Sequence, residues 1–324
     1  MYPHALPGPA LLEEMCAQAR LAEAAGFDGL MTSEHHGGFP GYLPNPLQLA
    51  GWILEATDRV WAAPSPLLLP LKHWSHVAEE IAWLACRFPG RVGAGFAMGG
   101  LARDFEMADL RFEDKLERFG AALPRIVEAL SGKAVAPLAD DRAIARCREA
   151  PIPLVSAAQG PGAVRRAARV GIGLLFDSLQ SPERVGELTG IYRDAGGGAG
   201  ACLIRRIWVG APPSPRYAEQ RRFYESYTDE RIQKHWGGDE LVSGADASEV
   251  AEKLSESLRV SRCDSINLRV HVTGLPPEEA RDQIRRVGAE VLPRLRSGLG
   301  RIPLDAEADR AANSGPDSSE AERA

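Results

Sequence analysis

The sequence has no basic excess to offer nucleic acid. Its 38 Lys and Arg are outnumbered by 44 Asp and Glu and scattered among them, for a net charge of −6, so the basic footprint that phosphate neutralisation needs is missing. There is no run of about 18 apolar residues, and Met1-Tyr2-Pro3-His4 is not a charged segment leading into an apolar one. No membrane partner is expected, and the protein is expected in the cytoplasm. Cys-x-x-Cys pairs are absent too: Cys16, Cys86, Cys147, Cys202 and Cys263 lie far apart. An odd number of thiols at such spacing predicts reduced, mostly buried cysteines rather than a disulfide framework or a zinc site, and no metal site is expected.

What is present is ordinary for a globular enzyme: 44% hydrophobic and 25% charged residues. The 324 residues exceed a typical domain, yet an α/β barrel of about 250 residues with insertions accommodates them as one unit. Residues 1–302 are expected to form that unit. The stretch 303–324, with Asn313-Ser314-Gly315-Pro316, lacks core formers and is expected to be a disordered tail.

Helical and strand patterns alternate along the chain. Apolar residues at Leu12, Met15, Cys16, Ala19 and Ala22 give a helix over Leu11–Ala25, stopped at Gly26, and a buried strand is expected over Phe27–Ser33. A helix follows over Pro46–Ala56, then a strand over Arg59–Leu71 that Pro64, Pro66 and Pro70 must bend, then a helix over His73–Phe88. Further on, strands are predicted at Gly90–Phe96, Ile152–Ala157, Gly173–Phe176, Ala201–Gly210 and Ser265–Val272. Helices are predicted at Asp114–Leu130, Gly160–Val170, Pro182–Ala195, Pro215–His235, Ala247–Leu258 and Glu278–Leu295, with an irregular insertion over Ser131–Glu149. The polar helix at Pro215–His235 is expected to form part of an outer lid. About seven such alternations imply a parallel sheet with helices outside; closed, it is a barrel, and open, it is doubly wound.

The densest titratable cluster is Glu34-His35-His36, where the strand ending at Ser33 gives way to Gly37-Gly38. An imidazole beside a carboxylate can move protons near neutrality. The Ser65-Pro66 bend, the Gly99-Gly100 turn and Gln159-Gly160-Pro161-Gly162 also fall at predicted strand ends. The C-terminal strand ends of an α/β barrel are where active sites form, so the clustering points to an enzyme. Gln159-Gly160-Pro161-Gly162-Ala163 opens a helix whose free N–H groups favour a phosphate. His76, His235 and His271 are expected at the surface, and His73 is expected to be structural at a helix start.

From about Leu11 to Leu295 the chain resembles the bacterial luciferase-like flavin-dependent monooxygenases. The likeness rests on Ala25-Gly26-Phe27-Asp28-Gly29, Glu34-His35-His36 with Asn45-Pro46, and Leu69-Pro70 followed by His73. It rests also on Arg87-Phe88-Pro89-Gly90-Arg91, Asp104-Phe105, Ala167-Ala168-Arg169-Val170-Gly171 and Val291-Leu292-Pro293-Arg294-Leu295. The resemblance implies a (β/α)8 TIM-type barrel that binds reduced FMN, supplied by a separate flavin reductase, and uses O2 to oxidise a small carbonyl-type substrate. It makes His35 the catalytic acid or base, with Glu34 tuning its charge. It places the flavin against Ser65 and Pro66, Ala97 and Met98, and Gln159, Gly160, Pro161, Gly162 and Ala163. Ser65-Pro66 falls where the family has a cis peptide, which proline makes easier. The family often pairs barrels through helices such as Glu79–Arg87, so a homodimer is one expectation.

Two departures keep alternatives open. Met98 stands where the family often has an arginine for the flavin phosphate, leaving Arg103 or Arg165 as substitutes. The family begins with a strand, which Met1–Pro9 is too short and proline-rich to supply, so the barrel either lacks or alters its first strand. The alternatives are a deazaflavin-dependent oxidoreductase on the same fold and a catalytically inactive accessory barrel subunit.

Overall fold

The computed structural model describes residues 6–227, 233, 236 and 241–298; the expectations for the tail 303–324, for His235 and for the end of the helix over Pro215–His235 lie outside the described residues. Helix α1 (Gly8–Ala24) ends at Gly26, whose φ of 86° is open to glycine at little cost. Strand β1 (Gly29–Thr32) pairs in parallel with β2 (Trp61–Pro64) across helix α2 (Pro46–Ala56), which Asn45 caps by accepting the Gln48 N–H. Proline punctuation divides the strand expected over Arg59–Leu71. After β2 comes a cis Ser65–Pro66 peptide, then β3 (Leu67–Leu68) and a single 3-10 turn at Leu69–Leu71. Helix α3 (Trp74–Arg87) leads to β4 (Ala94–Ala97).

Short helix α4 (Ala102–Glu106) and amphipathic α5 (Lys115–Leu130) follow β4. The insertion predicted as irregular holds one further turn, α6 (Arg142–Arg146), because Asp141 caps it through the Ile144 N–H. Strands β5 (Leu154–Ala157), β6 (Gly173–Phe176) and β7 (Ala201–Val209) then alternate with α7 (Pro161–Val170) and α8 (Pro182–Asp194). The polar helix α9 is described over Ser214–Tyr227. A short strand, β8 (Leu241–Gly244), stands where no element is predicted; it pairs with the distal half of β7. After α10 (Ala247–Ser261), β9 (Ser265–Arg269) pairs with the proximal half of β7. The final helical stretch is two helices, α11 (Pro277–Arg286) and α12 (Leu292–Gly298), joined by a π turn at Val287–Val291.

Every pairing is parallel, in the order β3-β4-β5-β6-β7, and an Ala62–Val92 bridge ties the β1-β2 pair to the same course. The sheet curls. Met31 of β1 packs in one buried cluster with Val155, Leu175, Cys202 and Ile204 of β5, β6 and β7, which a flat sheet would hold several strands apart. Alternate residues such as Phe96, Leu174 and Leu203 face the helical layer and its larger core. This is a TIM-type α/β barrel in which the first described strand follows the first helix. No pairing joins β1 to β9 among the described residues. There the outer layer closes instead: Arg281 of α11 donates to Glu14 of α1, and a Cβ on Gly288 would lie 2.4 Å from the Ala25 carbonyl oxygen.

All five cysteines are free thiols, with Cys147, Cys202 and Cys263 buried. His271, expected at the surface, is buried; Val272 and Leu275, which follow it, pack in a small apolar cluster with Trp208. No helix among the described residues is long and apolar enough to cross a membrane.

Candidate active site

Past β1 the chain stays extended through Glu34, which forms a parallel bridge with Leu43. In an extended chain residues two apart share a face and their neighbour points the other way. Glu34, buried, accepts the Leu68 N–H at 2.6 Å and pairs with His36 Nε2 at 3.0 Å. His35, between them, turns to Asp104 of α4, with Nδ1 2.9 Å from Oδ2. The other carboxylate oxygen of Asp104 accepts the His36 N–H at 3.0 Å. The expectation that Glu34 tunes His35 is therefore corrected: Glu34 serves His36, and the partner of His35 comes from a distant loop.

A carboxylate only accepts, so Asp104, with a side chain 1% exposed, takes the hydrogen of Nδ1 and leaves Nε2 as the ring atom open to proton exchange. An aromatic enclosure surrounds that ring. Phe39 lies 4.6 Å away between centroids, Tyr42 meets it edge-on at 4.7 Å, and the Tyr42 hydroxyl lies 3.1 Å from that of Tyr224 on α9. Phe223 touches Phe39 at 5.5 Å. Helix α9 thus supplies part of the cover, consistent with a lid position.

The hydrogen bond to Glu34 raises the His36 pKa above its ordinary value, opposed by burial and aided by the charges of Glu34 and Asp104. A group whose folded pKa is raised stabilises the fold fully below its unfolded pKa, and loses that contribution as pH rises through the folded value. The difference in melting temperature between wild type and His36→Gln should accordingly be largest below about pH 6.5, the unfolded value, and shrink on the alkaline side. A difference that grows with pH would contradict the pairing.

The residues expected to hold a flavin occupy the same end of the strands. Ser33 Oγ donates to the Ser65 carbonyl at 3.3 Å, and the Glu34 N–H donates to the Pro66 carbonyl at 3.3 Å, so the histidine loop and the cis bend are joined directly. Ser65 Oγ is buried and has no hydrogen-bond partner among the described residues. It lies over Gly95, where an added Cβ would sit 2.0 Å from it and 2.9 Å from Val155 Cγ2. Ala97 ends β4, in register with Leu68, and Met98 packs against the main core. The run Gln159–Ala163 follows β5, two strands from β3. Gln159 donates to Asp177 at 2.9 Å, Cβ atoms on Gly160 or Gly162 would meet open space, and Ala163 packs on the core. No hydrogen bond or ring contact joins this run to His35 among the described residues. Of the substitute cations, Arg103 is engaged with the Gly37 carbonyl at 2.6 Å and Arg165 is exposed beside the start of α7. An orphaned hydroxyl, a strand glycine with no room for a side chain and an unobstructed helix start fit a flavin-type ring with a phosphate tail. Gly95→Ala should overpack this wall, costing about 1–3 kcal/mol of stability, readable as a lower thermal midpoint; an unchanged midpoint would show that the wall yields.

Nothing in the chemistry of the sequence singles out Asp104, Phe39, Tyr42 or Tyr224. For Asp104 a signal exists, since Asp104-Phe105 is one of the motifs on which the family likeness rests.

A profile of the family described as luciferase-like monooxygenase matches residues 3–292. An F420-dependent glucose-6-phosphate dehydrogenase of Beutenbergia cavernae is 34% identical over 184 residues, 52% of this chain and 54% of that protein. The chain thus spans about half the length of the first curated relatives it matches. The oxygenating constituent of 3,6-diketocamphane monooxygenase from Pseudomonas putida, solved in complex with FMN, superimposes with a TM-score of 0.70 at 14% identity, over 90% of this chain and 94% of that one. An F420-dependent secondary alcohol dehydrogenase in complex with an F420-acetone adduct gives 0.64 at 17% identity, over 88% and 96%. At these identities the two structures speak for the fold alone.

Proposed function

Because the chain belongs to the luciferase-like monooxygenase family, whose members are oxidoreductases, we propose that it uses reduced FMN and O2 to oxidise a small carbonyl-type substrate. His35 is the acid or base of the reaction. The observation that carries this reading is the His35–Asp104 pair at the barrel mouth: an imidazole fixed through one nitrogen, with no hydrogen bond to the other among the described residues. Bound reduced FMN would supply the two electrons and the place where O2 reacts, one oxygen atom entering the substrate and the other leaving as water. His35 Nε2 would hold or deliver the proton, and Asp104, engaged with Nδ1, fixes the ring so that Nε2 is the nitrogen left to do so. Phe39 and Tyr42 restrict water around the imidazole, which strengthens its electrostatic influence. Ser65 Oγ and the open start of α7 are the groups that would receive the ring and the phosphate. A separate reductase would deliver the flavin reduced.

The second reading is hydride transfer with a deazaflavin coenzyme and no oxygen, favoured by the Beutenbergia cavernae relative. The same imidazole would then take the proton of an alcohol as hydride leaves its carbon. Anaerobic titration with reduced FMN, followed by admission of O2, separates the two. The monooxygenase reading expects saturable binding of reduced FMN and O2 consumption that substrate couples to a product containing one atom from labelled O2. Tight deazaflavin binding with no O2 uptake would replace it by the second.

A further inference from the structure

Two consecutive residues of α4 reach three consecutive residues of the histidine loop. Asp104 takes the His35 ring at Nδ1 and the His36 N–H, and Arg103, next to it, donates from Nη2 to the Gly37 carbonyl at 2.6 Å. The guanidinium also covers the α-carbon of Gly37: a Cβ added there would lie 2.9 Å from Arg103 Nε and 2.8 Å from Met107 Sδ. Helix α4 is a firm base for this grip. Phe105 is fully buried, meets Phe112 edge-on at 5.4 Å and closes over Gly99, where a Cβ would lie 2.9 Å from its ring.

The loop is the soft partner. Gly37 and Gly38 both stand at positive φ, 64° and 71°, and glycine has more backbone freedom to lose on folding than any other residue. A Cβ on Gly38 would meet open space, so no neighbour crowds it into place. Phe39 and Tyr42, which flank the His35 ring, follow directly in the chain. A hydrogen bond from a guanidinium is charge-assisted and stronger than a neutral one. At Gly37 it fixes the backbone just past the two residues that Asp104 holds, and the chain cannot turn about the glycine pair without breaking it. We propose that Arg103 is a positioning residue, a clamp that keeps the His35 imidazole on Asp104 and the wall of Phe39 and Tyr42 against it, and not a cation for the flavin phosphate. The clamp belongs to the flavin-free protein; its bearing on catalysis rests on the function proposed above.

The test uses the full chain without flavin, as wild type, Arg103→Ala and Arg103→Lys, read by amide hydrogen exchange and by nitrogen-15 spectra of histidine-labelled protein. Arg103 is exposed and alanine favours helix, so α4 should persist in Arg103→Ala; the Met107 N–H, which donates to the Arg103 carbonyl, reports on it. Exchange at the His36 N–H should quicken about tenfold or more in Arg103→Ala, as for the loss of one charge-assisted hydrogen bond. The neutral His35 ring should pass from one tautomer to a mixture of two. Arg103→Lys, which keeps a charged donor, should recover part of both. Affinity for reduced FMN, measured in parallel, should change by less than about twofold. Unchanged exchange at His36, or an unchanged His35 tautomer, would overturn the clamp whatever FMN does. Equal loss of protection at Met107 would show that Arg103 holds its own helix rather than the loop, and would overturn it as well. So would a loss of FMN affinity of about tenfold or more, which would return Arg103 to the cofactor. A loosened loop in a protein that does not bind reduced FMN would leave the clamp standing and remove the flavin reading.

Discussion

His35→Ala should lower kcat by about 10²- to 10⁴-fold, the usual size of a positioned acid or base, while reduced FMN still binds within a few-fold of wild type. The role proposed for His35 does not extend to His36. His36 Nε2 is occupied by Glu34, whereas His35 leaves one nitrogen open inside the cage of Phe39 and Tyr42. Truncation leaves the buried Asp104 carboxylate with the His36 N–H but without its ring partner, and such a loss costs about 1–3 kcal/mol. Thermal midpoints must therefore be recorded with the rates. Added imidazole, small enough to enter the space left, should restore part of the lost turnover in His35→Ala. His36→Gln should fall far less. Equal losses in both variants, or no loss in either, would take the acid–base role away from His35.

The sequence displays the barrel in its alternation, because each strand is short, apolar and followed by a helix with one greasy face, and that pattern has few solutions. It displays the bend at Ser65–Pro66 for a local reason as well: proline marks where a strand must break. What it hides depends on the ring. Glu34 is next to His35 in sequence and so reads as its partner, yet an extended backbone sends the two side chains apart. Asp104, 69 positions away, arrives only because β1, β3 and β4 are neighbours at one end of the barrel. His271 misleads in the opposite sense, since a lone histidine in a polar stretch gives no local sign of the apolar cluster that buries its neighbourhood.

The second large effect is expected from Asp104→Asn, a change of one atom type. The amide oxygen of the introduced asparagine can still accept the His36 N–H, so the short helix α4 and the loop it holds should stay in place. Its NH2, however, would face His35 Nδ1, and a donor opposite that nitrogen forces it to become the acceptor. The neutral ring then carries its hydrogen on Nε2, the atom meant to exchange protons, and can no longer accept there. A tautomer reversal of this kind accounts for losses of up to about 10⁴-fold in the Ser-His-Asp hydrolases, and about 10²- to 10⁴-fold is expected here. Nitrogen-15 spectra of histidine-labelled protein supply the reading that a purely structural role would not move. In the neutral state wild-type His35 should show its hydrogen on Nδ1, and the variant should show it on Nε2, at nearly unchanged thermal stability. If the variant keeps the wild-type tautomer and its rate, Asp104 does not orient the imidazole, and the proton chemistry has to be sought at another residue of the mouth.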